Sequence, residues 1–337
     1  MTKKKTTIVS VLLFVVIFAA LLITATFTDL QVSDILTSKA LAEHTYITND
    51  AFGAMFEAVG SVPVYFMFAF GFEILFWAVV RKNKDGKVLN HLVSIGLAIA
   101  AVVANYILVN DTFNYILKHI YMTDDSGAFV TPAYLIGIEV FLSILFAFFE
   151  LLAVNNFSDE SINKLVRFAF AVIAAAAVAT ITIELIKKPM GRIRYRAMNI
   201  DPDNEIHGFG AFAKWFEVNG SKWKELYPTH EAKLAEFGST DAFKSFPSGH
   251  TNAAAGTYYL IMLIPALGIQ KKWKKALLWI CPVIFTGIVA VSRIVVGAHF
   301  FSDVLVGGTN AFVWMIIMRE IFICKGEHVK AVFGKDK

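Results

Sequence analysis

Three short segments, far apart in the chain, gather basic, imidazole, hydroxyl and glycine residues at spacings suited to anion chemistry. The first is Lys187-Lys-Pro-Met-Gly-Arg-Ile-Arg194-Tyr195, at the head of a cluster of five cations: Lys187, Lys188, Arg192, Arg194 and Arg196. Clustered Arg and Lys suit phosphate, Arg through its planar fork and Lys as a point charge. The second is Phe246-Pro247-Ser248-Gly249-His250-Thr251. Pro247 and Ser248 ahead of an apolar run predict a helix start, where free backbone N–H groups and the positive end of the dipole form an anion pocket. His250 stands just beyond it. The third is Ser292-Arg293-Ile-Val-Val-Gly-Ala-His299-Phe-Phe-Ser-Asp303. His299 and Asp303 are four apart and share a face on a helix, so the carboxylate can fix the imidazole tautomer and stabilise its charge. The Gly297-Ala298 pair lets the chain fold back after Arg293. Taken singly, Ser248 is an ordinary N-cap and a histidine at a helix end an ordinary interfacial residue; it is the set that carries chemistry.

The elements that must position these groups cross a membrane. Of 337 residues 57% are hydrophobic and 17% charged, with a mean hydropathy of +0.60. Soluble domains are less apolar and about a quarter charged. The apolar residues fall in about eight runs near 8–28, 61–80, 90–109, 134–154, 166–186, 250–269, 277–297 and 301–323, each close to the ~20 residues needed to span the hydrocarbon core. The first follows Lys3–Lys5; it is too long for a typical signal peptide and lacks a small-residue cleavage site, which predicts an uncleaved span. Lys3–Lys5, Arg81–Lys84, Lys271–Lys275 and the tail with Lys325 and Lys330 fall on one side, which the positive-inside bias makes cytoplasmic, with both termini there. Cys281 and Cys324 end spans on that side and read as packing residues.

The cations at 187–196 break this bias, since they leave a span on the opposite, outer side. About 50 residues then run to Phe246, with Trp215, Trp223 and Pro228, a composition that suits a small cap of short helices. Glu73, Glu139 and Glu150 lie inside apolar runs, which marks them for inspection; their distance from the three segments favours pairing between helices. Glu184, one turn before Lys187, is placed to hold that side chain.

The three segments resemble the signature of the type 2 phosphatidic acid phosphatase superfamily: Lys, six residues, Arg-Pro; then Pro-Ser-Gly-His; then Ser-Arg, five residues, His, three residues, Asp. Tyr195 in place of the proline of Arg-Pro is the one departure. The resemblance implies an all-α transmembrane bundle whose six-helix core corresponds to residues 90–323, with the external cap at 187–247, two additional spans in 1–89 and a cytoplasmic tail at 324–337. It implies His299 as nucleophile forming a phosphohistidine, Asp303 orienting it, and His250 as general acid and then base. Lys187, Arg194 and Arg293 would clamp phosphate, with Ser248 and the Gly249 N–H completing the cradle. Arg192 and Lys188 fall outside the matched positions and read as solvated charge, or as secondary phosphate contacts. No metal or cofactor is implied, because three cations stand where a metal would neutralise charge. The expected substrate is a lipid phosphate or diphosphate in the bilayer (phosphatidate, phosphatidylglycerol phosphate, undecaprenyl diphosphate or a sphingoid phosphate), cleaved at the outer face of the plasma membrane. Nucleic acid is not an expected partner. A soluble phosphoester, or a non-catalytic lipid-phosphate binder or transporter, are the alternative readings.

Overall fold

The computed structural model describes residues 3–37, 50–121, 133–198, 212–220 and 242–333, and these contain helices and no strand. In chain order they form α1 (Lys3–Leu36), α2 (Ala51–Gly60), α3 (Val62–Lys82), α4 (Val88–Tyr121), α5 (Ala133–Asn155), α6 (Asp159–Met190) and the short α7 (Tyr195–Met198). Then come α8 (Gly249–Ala254), a 3₁₀ stretch (Ala255–Met262), α9 (Leu263–Leu267), α10 (Lys272–Val295), α11 (Phe301–Met318) with a π-helical end (Arg319–Ile323), and α12 (Glu327–Phe333). Most of the expected cap, including Trp223 and Pro228, lies outside the described residues.

Among the described residues, seven helices are long and apolar enough to cross a membrane. The chain is a multi-pass membrane protein. Large apolar side chains such as Val16, Phe141 and Leu185 are more than half exposed, as expected where lipid takes the place of a packed neighbour. The eighth expected run, 250–269, is not one α-helix: it is α8, the 3₁₀ stretch and α9 in succession. At about 1.5 Å rise per α residue and 2.0 Å per 3₁₀ residue, these 19 residues still extend roughly 30 Å.

Local signals explain the boundaries that matter. Ser158 caps α6 by accepting from Ser161 N–H at 3.2 Å, with Asp159 and Glu160 in the first turn and Lys187 and Lys188 in the last, charges that complement the dipole. Gly191 ends α6 in the left-handed conformation (φ 53°). Alanines 169, 171, 175, 176 and 179 of α6 are fully buried, the small-residue seam that lets membrane helices approach closely. Gly71 of α3 sits against it, where a Cβ would come 2.8 Å from Ile173 Cγ1.

Two of the three acids inside the membrane pair between helices as expected, while the buried Glu73 carboxyl has no hydrogen-bond partner among the described residues. Glu150 accepts from Asn105 Nδ2 at 2.8 Å and Glu139 from Asn110 Nδ2 at 3.1 Å, both from α5 to α4. Cys281 does not pack inside as the sequence suggested; it is exposed on α10, in the membrane-facing company of Ile280 and Ile284.

Candidate active site

The end of α6, the start of α8, the end of α10 and the start of α11 lie at one end of the bundle, so the three segments meet there. Ser248 N–H donates to Asp303 O at 3.0 Å, joining the second segment to the third. Arg196 N–H donates to Gly297 O at 2.8 Å, joining the first to the third. Gly307 permits the approach of α11, since a Cβ there would lie 2.4 Å from Ser248 O.

His299 is the centre of this arrangement. It follows the turn at Gly297 (φ 64°) and is 1% exposed. Its Nδ1 lies 2.7 Å from the Ser245 carbonyl oxygen. A carbonyl can only accept, so Nδ1 carries the proton and Nε2 the lone pair. Arg194 NH1 donates to that Nε2 at 3.2 Å and to Ala298 O at 3.0 Å. Burial pulls the His299 pKa down to about 3, against the opposing pull of Asp303, so the ring is neutral with a free pair at Nε2. The sequence assigned the tautomer-fixing contact to Asp303; its Oδ2 lies 3.6 Å from Nδ1, too long for a hydrogen bond, and Ser245 O makes the contact instead. Asp303 acts one step back: its Oδ2 accepts from Ser245 Oγ and Phe300 N–H, and its Oδ1 from Arg192 NH1.

Arg192 is therefore not a solvated charge. It is fully buried, paired with Asp303 and with Asp29 (NH2 to Oδ2, 2.9 Å). It also donates to Ser302 Oγ and Ala213 O, both at 2.8 Å, and lies over the Phe300 ring, 4.2 Å from its centroid. Asp29 comes from α1 and also accepts from Ser302 N–H at 2.8 Å. Lys188, by contrast, is exposed, as a solvated charge should be.

On the other side stands Arg293, 1% exposed. Its NH2 donates to Glu57 Oε1 at 2.8 Å, while Nε and NH1 are buried without a hydrogen-bond partner among the described residues. Glu57 belongs to α2, where Gly53, Glu57 and Gly60 share a face by their four- and three-residue spacing. That face meets α10: a Cβ at Gly53 would lie 2.0 Å from Val296 Cγ1, and one at Gly60 3.1 Å from Val289 Cγ1. The two glycines thus let Glu57 reach Arg293, the residue between those valines. Glu57 also holds His119 Nε2 at 2.7 Å and Lys118 Nζ at 3.5 Å, both from α4.

Lys187 Nζ donates to Glu184 Oε1 at 3.2 Å, as its spacing suggested, and lies over Gly249, where a Cβ would come within 2.8 Å of it. Ser248 is the N-cap of α8, its Oγ accepting from Thr251 N–H at 3.3 Å, which leaves the N–H groups of Gly249 and His250 as first-turn donors. The His250 Nε2 is buried with no partner among the described residues, and its ring sits edge-on to Tyr115 at 4.9 Å. Arg293 and Lys187 bring positive charge, and Glu57 negative charge, to its surroundings.

Two imidazoles with buried ring nitrogens beside a buried, part-unsatisfied arginine have the chemistry to hold an oxyanion, which makes this the candidate site. Residues 164–323 match the family model described as the PAP2 superfamily. Over this stretch the chain is similar to the PAP2 superfamily. Members of that superfamily are phosphatases, which supports a phosphoester hydrolase of the membrane type. No curated protein and no solved structure matches it.

The PAP2 match begins after α5, yet Asp29 and Glu57 reach its arginines from before it, and Lys118 and His119 hold Glu57. Sequence reasoning missed all four, and Ser245. Asp29 and Glu57 had a faint signal, as acids near the outward ends of apolar helices. The departure at Tyr195 has a local account. Tyr195 is the first residue of α7, a position where proline fits the helical φ and no N–H is required. The tyrosine instead packs edge-on against Phe300 at 6.2 Å and donates its hydroxyl to Asp34 Oδ1 of α1 at 3.3 Å. Tyr195→Pro is expected to keep turnover within about threefold and to cost about 1 kcal/mol of stability, the scale of one hydrogen bond. Thermal unfolding in detergent and initial rates check both; a larger loss of rate would make Tyr195 part of the site itself.

Proposed function

We propose that this chain hydrolyses a phosphate or diphosphate carried by a membrane lipid, at the outer face of the plasma membrane, through a phosphohistidine on His299. The observation that carries the reading is the Arg194 guanidinium at the lone-pair nitrogen of a His299 ring fixed by Ser245 O. When phosphate enters, Arg194 turns from Nε2 to the phosphate oxygens and exposes the nucleophile. Nε2 attacks phosphorus and forms the N–P bond as the P–O bond to the lipid breaks. His250 gives its proton to the departing lipid oxygen, the bound dianion favouring the charged imidazole beforehand. Water then attacks phosphorus, His250 takes its proton, and the N–P bond breaks to release phosphate. Arg293 Nε and NH1, Lys187 and the first-turn N–H groups of α8 hold the equatorial oxygens, where charge is greatest.

A lipid substrate is supported by the apolar side chains Ile181 and Leu185, exposed on α6 beside Lys187. A tail lying in the bilayer along that face would present its phosphate at the helix end. The outer-face assignment is supported by the lysine clusters at the opposite end of the bundle.

Purified protein assayed on a panel of lipid phosphates and diphosphates, beside a soluble sugar phosphate, tests the reading. Phosphate release is expected on at least one lipid, at more than about tenfold the kcat/KM of the soluble ester, undiminished by a chelator and inhibited by vanadate. Preference for the soluble ester would remove the lipid assignment, and loss of activity on chelation restored by metal would remove the metal-independent mechanism.

A further inference from the structure

The opposite end of α11 holds a second group of chemically capable side chains, about 25 Å from Asp303 at 1.5 Å per residue and outside the phosphatase machinery. Helix α11 does not stop at Met318 but widens into a π-helical turn over Arg319–Ile323, closed by Cys324 N–H donating to Arg319 O at 2.9 Å. Such widened turns accumulate at functional positions because they re-aim side chains. Lys325 (φ 52°) and Gly326 (φ 72°) then reverse the chain, and Gly326 N–H returns to Glu320 O at 2.8 Å. The reversal lays the first turn of α12 beside Glu320.

As a result one ligand atom from each of Glu320, Cys324 and His328 lies within 4.8 Å of the other two, all three residues half-buried. His328 Nδ1 stands 2.7 Å from Glu320 Oε1 yet is off-line for a hydrogen bond and buried without one among the described residues. A ring nitrogen and a carboxylate oxygen in close approach, with a thiol beside both, form a group of three donor atoms that one cation could bridge. Arg319 NH2 donates to the same Oε1 at 3.2 Å, so an ion bound here would share that carboxylate with the guanidinium.

We propose that Glu320, Cys324 and His328 bind one divalent transition-metal ion of the zinc class. The donor set decides the class: thiolate and imidazole select zinc-like ions over magnesium or calcium, which demand oxygen. Tetrahedral bonds of about 2.0–2.3 Å place ligand atoms roughly 3.3–3.7 Å apart, within reach of side-chain rotation here. Three protein ligands leave the fourth position to water. The ion fastens α12, which packs against α1, to the end of the last span. Cys324, read from sequence as packing, is a ligand in this account. Cys324 and His328 lie beyond the family match, which ends at 323, so the site is a property of this chain and independent of the phosphatase reading.

Cobalt(II) titrated into the metal-stripped full chain in detergent tests it. One equivalent is expected to bind with a thiolate-to-cobalt charge-transfer band, displaced by zinc. Cys324→Ser and His328→Gln, which keep side-chain volume, should each weaken binding by more than about 100-fold, beyond the loss that outer-shell changes cause. Zinc should also slow alkylation of Cys324 while the exposed Cys281 reacts as before. Absence of the band in wild type, the same affinity in Cys324→Ser, or equal alkylation of Cys324 with and without zinc would each overturn the proposal.

Discussion

His299→Ala is expected to lower phosphate release by at least about 10⁴-fold, the scale of losing a nucleophile whose partners remain in place. The ring is held from behind by Ser245 O and faced by Arg194, and no other imidazole occupies that position. His250 acts from the α8 side and cannot replace the attacking nitrogen. The variant should fold, because Arg192, Arg293 and Asp303 retain their partners and Arg194 keeps Ala298 O, and a mixing experiment with labelled substrate should show no protein-bound phosphate. Turnover within tenfold of wild type would remove His299 from the mechanism. The pH profile gives a second check. Because burial holds the His299 pKa at about 3, the nucleophile is lost only as pH falls towards that value. Any acid limb in kcat/KM above about pH 5 must therefore come from another group or from the substrate.

Arg192→Ala is the largest expected stability change, about 3–5 kcal/mol. The substitution leaves Asp29 and Asp303 as two buried carboxylates, 2% and 0% exposed, without the charge between them. Activity should fall too, since Asp303 holds Ser245 and Ser245 holds His299. Adding Asp29→Asn should recover part of the stability by removing one unpaired charge, which a thermal-unfolding cycle of single and double variants would read. Unchanged stability with a raised KM would instead make Arg192 a phosphate contact, the secondary role its sequence position left open.

The contrast between Arg192 and Arg194 shows what a sequence can carry. Both stand in one basic run, two residues apart, and residue type assigns both to anions. Position in the three-segment signature separated Arg194, but nothing local marked Arg192 as buried, because its partners are 163 and 111 residues away. Ser245 was missed for a related reason: it acts through a backbone oxygen that any residue could supply. The 250–269 run was recognised as helical from its apolar length, whereas its 3₁₀ centre depends on packing that length cannot encode.

By itself the sequence determined most of the spans, the grouping of the candidate catalytic residue types at their ends, and the resemblance to the family, because long apolar runs and short motifs are properties of neighbouring residues. Tertiary structure alone decided which acid answers which arginine: Asp29 and Glu57, from helices before the family match, neutralise Arg192 and one edge of Arg293. The physical reason is that a buried charge must find its counter-charge wherever the fold brings one within about 3 Å, and that distance is unrelated to separation along the chain.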